Sequence, residues 1–249
     1  MNKSVVITGG SKGIGLELVK FYAEKGFIVI SGSRTKFEQH PSSISANVHE
    51  IEMDVTMPES HEKLVAEAIN RTGNLDVYIN NAGFSEWRSL QNIDLKFLES
   101  MFNINVFGYF WGTKAASKVM KPGSSIINVS SLAARRGTPN NSAYSSSKFA
   151  ITGLTQSTAK ELGKSGIRIN AVCPVLIETP GLVDALKSDQ APSVGQPTEF
   201  LEHFALTQTA LGHLPTARDV AELCYFLSSE SAKAITGQSI NVDCGVLPN

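Results

Sequence analysis

The stretch "AYSSSKFAITGL", residues 143–154, sets a tyrosine, Tyr144, four residues ahead of a lysine, Lys148, with only serines between them. Four residues is about one helical turn, so both side chains project from one helix face. A phenol is a weak acid with an ordinary pKa of ~10. A cation one turn away favours its ionised form and draws it toward neutral pH, which is what a catalytic proton donor or acceptor needs. Spacing alone leaves open whether that face meets solvent, core or substrate. An interface tyrosine beside a snorkelling lysine has the same pattern.

A second chemical signature stands near the N-terminus. "TGGSKGIG", residues 8–15, holds Gly9, Gly13 and Gly15, with Ser11, Lys12 and Ile14 between them. Glycine lets a backbone turn sharply and approach a ligand closely, and a following helix offers N–H groups and partial positive charge to a pyrophosphate. The Gly-Lys-Ser/Thr order of a Walker A loop is missing. In its strand–turn–helix context the cluster points to nucleotide binding rather than to a plain tight turn. An NAD-binding chain usually offers an acid at the end of its second strand for the ribose 2′-hydroxyl. Here that place reads "SGSRTK", with Ser33 and Arg34 and no acid, and Lys12 can reach the same pocket. Two cations suit a 2′-phosphate, and guanidinium suits it especially well. NADP(H) is expected in preference to NAD(H), which could still bind; the bland alternative makes Arg34 a solvated surface charge.

These residues need elements to position them. Apolar β-branched runs alternate with amphipathic patterns along the chain. Strands are predicted at 4–9, 27–33, 49–55, 75–83, 124–131, 167–174 and 238–245. Helices are predicted at 13–26, 58–73, 94–120 (kinked near Gly108), 143–163 and 216–229, the last with Thr216 as N-cap. Strand–helix alternation implies an α/β fold, a Rossmann-type doubly wound parallel sheet of about seven strands with helices on both faces, in one domain spanning 1–249. The stretch 180–214 holds three of the ten prolines and breaks the rhythm. It follows a strand end, where ligand crevices of such sheets lie, and is expected to form a substrate lid rather than a peripheral insertion.

Composition excludes several other classes. With 42% hydrophobic and 18% charged residues and a formal net charge of -1, no basic field announces nucleic acid. No apolar run approaches the ~20 residues of a membrane span. The apolar stretch after "MNK" is too short for a secretory signal. Cys173, Cys224 and Cys244 are scattered, suggesting reduced cytoplasmic thiols. His40, His49, His61, His203 and His213 show no metal-ligand spacing, so no metal is expected.

Taken together and in order, "TGGSKGIG", "NNAG" (80–83) and "YSSSK" resemble the short-chain dehydrogenase/reductase family nearly end to end. The resemblance adds Asp54 and Val55 after strand three, contacting adenine. It adds Asn81, Ala82 and Gly83 lining the adenosine side. It also adds Asn105 in "NINVFG" and Ser131 in "INVSS", thirteen residues before Tyr144. It implies a nicotinamide cofactor and a catalytic set of Asn105, Ser131, Tyr144 and Lys148. Ser131 would hold a carbonyl oxygen near the Tyr144 hydroxyl. Lys148 would lower the tyrosine pKa and grip the ribose, and Asn105 would help position a water passing protons on from Lys148. Pro174, Ile177 and Thr179 match the nicotinamide-side positions. Val175 departs from the family's usual glycine; valine disfavours positive φ, so a different local backbone path is expected.

The resemblance implies a carbonyl–alcohol oxidoreductase acting on a small molecule, and a homotetramer or homodimer pairing the helices 94–120 and 143–163. One alternative is a 3-oxoacyl-ACP reductase, weakened because Ser165, beside Lys164, stands where an arginine usually docks the carrier. Another is a non-catalytic nucleotide sensor or scaffold, which the intact Ser, Tyr, Lys and Asn positions argue against. A nucleotide-sugar epimerase would need a further domain, and the chain stops at Asn249. Arg135 and Arg136 would form a solvated rim or subunit contact, or meet an anionic substrate. Phe84, Trp87, Leu176, Leu182, Phe200 and Phe204 would line an apolar pocket or merely pack.

Overall fold

β1 (Ser4–Thr8) is buried on both faces, as a continuous β-branched run at the centre of a parallel sheet must be. The computed structural model describes residues 3–35 and 45–248; His40 lies outside them. The remaining strands are β2 (Ile28–Ser33), β3 (Val48–Glu52), β4 (Val77–Asn80), β5 (Ser125–Val129), β6 (Arg168–Pro174) and β7 (Ser239–Val242). They form one sheet in the order β3-β2-β1-β4-β5-β6-β7. Every pairing is parallel, beginning with Ser4 opposite Ile28 on one side of β1 and Val5 opposite Val77 on the other. The strand order reverses between β1 and β4, and the carboxyl ends at such a switch point frame a ligand crevice.

Alternate side chains of each strand feed two cores. Val5 and Ile7 pack with Leu18, Val19 and Tyr22 of α1 (Gly13–Glu24) and with Val220, Cys224 and Leu227 of α8 (Ala217–Ser228). Val6 faces the other way, joining Leu64 and Ala68 of α2 (Pro58–Thr72) and Ala115 and Ala116 of α4 (Gly108–Ser117). Full burial of each such aliphatic side chain contributes about 1.5–3 kcal/mol. Helix boundaries follow local signals. Pro58 sits in the first turn of α2, and Gly73 closes it in the left-handed region at φ 75°. Thr216 caps α8, its hydroxyl accepting from Asp219 N–H in a capping box.

The predicted helix over 94–120 is interrupted. α3 (Leu95–Phe102) passes into one π turn (Asn103–Phe107) before α4 resumes. The irregularity expected near Gly108 is thus a π widening just before it, a feature frequent at functional sites. A further departure lies in 180–214. It contains two helices, α6 (Pro180–Leu186) and α7 (Pro197–Gln208), each opening on a proline. A proline costs nothing at the first helical position, where its missing N–H would have no partner anyway. Among the described residues no helix is long and apolar enough to cross a membrane.

Candidate active site

α5 (Ser142–Leu162) carries Tyr144 and Lys148 to the carboxyl edge of the sheet. Its buried stripe runs through Ser147, Lys148, Ile151, Leu154 and Thr155, so the lysine belongs to the packed face. The Lys148 ammonium donates to the Val129 carbonyl (3.0 Å) and to the Tyr109 hydroxyl (3.4 Å), and lies 5.8 Å from the Tyr144 ring centre. Burial brings its pKa down to about 8. Burial also pushes the Tyr144 phenol above its ordinary range, while hydrogen bonding to the Ser131 hydroxyl pulls it back. Ser131 caps a short 3-10 turn after β5, its Oγ accepting from Ala133 N–H at 3.1 Å.

A cavity of about 1190 Å³ runs along these side chains. Ser131, Tyr144 and Lys148 line it. So do the expected cofactor residues: Gly9 through Gly15 except Gly10, Ser33, Arg34, Asp54, Val55, Asn81, Ala82, Gly83, Pro174, Ile177 and Thr179. Asn105 does not. It is fully buried behind the wall, accepting from Phe84 N–H (3.0 Å) and donating to the Phe84 carbonyl (2.9 Å) and Ser147 Oγ (3.2 Å). Its side chain therefore clamps the Gly83–Phe84 backbone, and Lys148 is met instead by Tyr109.

The glycine loop is held at backbone level. Gly9 has φ 70°, and a Cβ there would come 2.8 Å from Ala82 Cα. A Cβ on Gly15 would collide with the Gly9 carbonyl and the Asn81 side-chain amide. Asn81 Nδ2 donates to the carbonyls of Thr8 (2.9 Å) and Gly9 (3.2 Å), and Thr8 Oγ1 accepts from Asn81 N–H (3.0 Å). The "NNAG" turn and the glycine loop thus lock one another. What remains is a cradle without side chains at a helix N-terminus, which fits a dinucleotide pyrophosphate. Lys12 and Arg34 are exposed on its rim, and neither forms a salt bridge among the described residues. Asp54 accepts from Thr56 N–H and Thr56 Oγ1, both at 2.9 Å, which shapes the turn after β3.

The opposite wall joins Phe84 and Trp87 to Leu176, Leu182, Phe200 and Phe204, all of which line the cavity. Several lining residues carried no clear sequence signal. Asn140, at φ 57°, donates to the Gln190 carbonyl (3.0 Å), and Gln190 Oε1 accepts from Ser89 N–H (2.7 Å). Three loops are tied together at that mouth. The asparagine pair in "PNN" hinted at this, since asparagine tolerates the left-handed region. Arg136 lines the cavity, but Arg135 does not. Arg135 is half-buried and donates to the Ser239 carbonyl of β7, so it is an internal tie rather than a solvated rim. Val175 is not among the residues of positive φ; its N–H donates to the Val242 carbonyl at 3.1 Å, continuing the β6–β7 pairing on ordinary backbone.

The chain and its fold have counterparts among known proteins. A family model described as enoyl-(acyl carrier protein) reductase matches residues 9–247. An L-2,3-butanediol dehydrogenase of Corynebacterium glutamicum is 33% identical over 261 residues, covering 100% of both chains. A diacetyl reductase, (S)-acetoin forming, of Staphylococcus aureus is 32% identical over 98% of both chains. Among solved structures, the aldohexose dehydrogenase of Thermoplasma acidophilum superimposes with a TM-score of 0.89 at 29% identity, over 98% of this chain and 94% of that one. ElxO with NADP bound superimposes with a TM-score of 0.85 at 31% identity, over 99% of each. The chain belongs to the short-chain dehydrogenase/reductase family and is an oxidoreductase of that family.

Proposed function

We propose that the chain interconverts a small carbonyl compound and its secondary alcohol, using NADP(H), with Tyr144 as the acid/base. One observation carries this reading: Ser131, Tyr144 and Lys148 converge on one cavity whose far end is the glycine cradle. The bound cofactor would supply or accept the hydride at the carbonyl carbon. Ser131 Oγ–H holds the substrate oxygen, and the Tyr144 hydroxyl gives it a proton as it becomes an alcohol. Lys148 keeps positive charge beside that phenol and meets the cofactor ribose. Asn105 acts through the Phe84 backbone, fixing the floor of the cavity.

Lys12 and Arg34 support NADP(H) over NAD(H), because two cations with no carboxylate at the end of β2 match a 2′-phosphate. A structural relative is known with NADP bound. α6 and α7 serve as the substrate lid. The carbonyl class is drawn from the butanediol and diacetyl relatives. Three free thiols suit the cytoplasm. Leu95, Leu98, Phe107, Phe110 and Phe149 leave exposed apolar side chains along α3, the π turn, α4 and α5, which a second copy would cover in a homotetramer or homodimer.

The test is oxidation of NADPH and, separately, NADH over a carbonyl panel: a diketone, a 3-oxoacyl thioester, a keto sugar and an aromatic ketone. Turnover with NADPH that falls at least a hundredfold in Tyr144→Phe, with NADPH binding intact, is the expected result. Near-wild-type turnover in that variant would sink the assignment.

A further inference from the structure

Lys148 is a buried cation, 4% exposed, and forms no salt bridge among the described residues. An uncompensated buried ammonium is costly, so the groups that touch it decide whether it keeps its proton. Two do so by hydrogen bonding: the Val129 carbonyl at 3.0 Å and the Tyr109 hydroxyl at 3.4 Å. Tyr109 stands on α4, just past the π turn, and is itself 1% exposed. Its hydroxyl donates to the same Val129 carbonyl at 2.7 Å, which turns its lone pairs toward the ammonium. Its ring adds a π face 5.1 Å from Lys148 Nζ. The ammonium, the phenol and the carbonyl form a closed triangle.

We propose that Tyr109 is a positioning residue that holds the Lys148 ammonium on the Val129 carbonyl, one α4–α5 contact behind the reacting tyrosine. This rests on the Tyr144–Lys148 reading above. The other titratable groups facing Lys148 are Tyr144 from α5 and the Cys173 thiol from β6, with Arg135 beside that thiol. Both the phenol and the thiol are held protonated by burial, so neither supplies the missing negative charge near neutral pH. Tyr109 and Val129 bear that task. The sign of the effect follows. The phenol oxygen accepts more strongly from the ammonium than from the neutral amine, so it favours the cation, and its removal lowers the lysine pKa.

Tyr109→Phe keeps the ring and deletes the one oxygen. The direct readout is acetylation of Lys148 by a trace of acetic anhydride, followed by mass spectrometry across pH 6–10, since only the neutral amine reacts. Loss of one hydrogen bond to a charged group should move the midpoint down by about one pH unit. At pH 7 that makes Lys148 labelling about fivefold faster, with other lysines unchanged. The catalytic readout is kcat/KM for carbonyl reduction. Its alkaline limb, where the active protonated pair loses its first proton from Lys148, should move down by a similar interval, while KM for NADPH moves little. Superimposable labelling curves for wild type and Tyr109→Phe would overturn the proposal. Absence of Tyr144-dependent turnover in wild type would overturn the enzymatic reading instead, and the labelling curves would still decide the role of Tyr109.

Discussion

The glycine loop after β1 and the 180–214 segment bound the same cavity but are held by different kinds of contact. The loop is fixed by backbone. Gly9 lies against Ala82 and Gly15 against Gly9, and the Asn81 amide bridges two carbonyls, so the geometry admits one chain path. The 180–214 segment is fixed by a small satellite cluster, in which Trp87, Leu186, Ala191 and Leu201 are buried apart from the two main cores. Its α7 leaves Leu206 75% exposed and buries only Leu201. A cofactor cradle needs atoms placed to within tenths of an ångström, which close backbone packing provides. The lid role proposed for 180–214 requires opening and resealing, which a few detachable apolar contacts allow.

The sharpest way to break this contrast is Gly15→Ala. A methyl group there enters the Gly9 carbonyl, and we expect NADPH affinity to fall more than a hundredfold, about 3 kcal/mol, with a lower melting temperature. Retained binding in a fluorescence titration would show that the loop yields as readily as the lid.

Between the walls, Lys148→Met should stabilise the fold while abolishing turnover. The folded pKa of Lys148 is about 8, below its unfolded value of 10.5, so the unfolded chain binds the extra proton in that window. The penalty is full below pH 8 and vanishes as pH rises past about 10.5. Removing the amine should add roughly 3 kcal/mol at pH 7 and nothing above pH 10.5, read from urea midpoints at the two pH values. An unchanged midpoint at pH 7 would mean that the cation is better compensated than the structure implies.

Arg34→Ala should weaken NADPH by about thirtyfold, near 2 kcal/mol, and leave NADH unchanged, because only the 2′-phosphate is lost from its reach. Equal weakening of both cofactors would assign Arg34 to the loop's architecture instead. On α7, Phe204→Ala should raise KM for the best carbonyl about fivefold, about 1 kcal/mol, with NADPH binding untouched. A loss of cofactor binding there would couple the two walls that the structure holds separately.

Much of the molecule was legible in the chain itself. Runs rich in β-branched and apolar residues suit the centre of a parallel sheet, so β1, β4 and β5 announced themselves, and glycines forced by close approach marked the loop. Pro180 and Pro197, which open α6 and α7, were legible only as interruptions, since a proline that breaks one helix and one that begins another look alike in sequence. Arg135 and Arg136 are adjacent and identical, yet one lines the cavity and the other ties down β7. Asn105 was legible as a motif residue, but its hydrogen-bond partner, the Phe84 backbone, was not.

What the sequence determined by itself is the order of the seven strands, the glycine-rich turn and the one-turn spacing of Tyr144 and Lys148. These depend on local φ/ψ limits and on side-chain period, and both act within a few residues. Only the tertiary structure decided that Tyr109 and Val129 meet Lys148. Those residues lie 39 and 19 positions away from it, on another helix and a strand, and a buried ammonium finds its acceptors in space rather than along the chain.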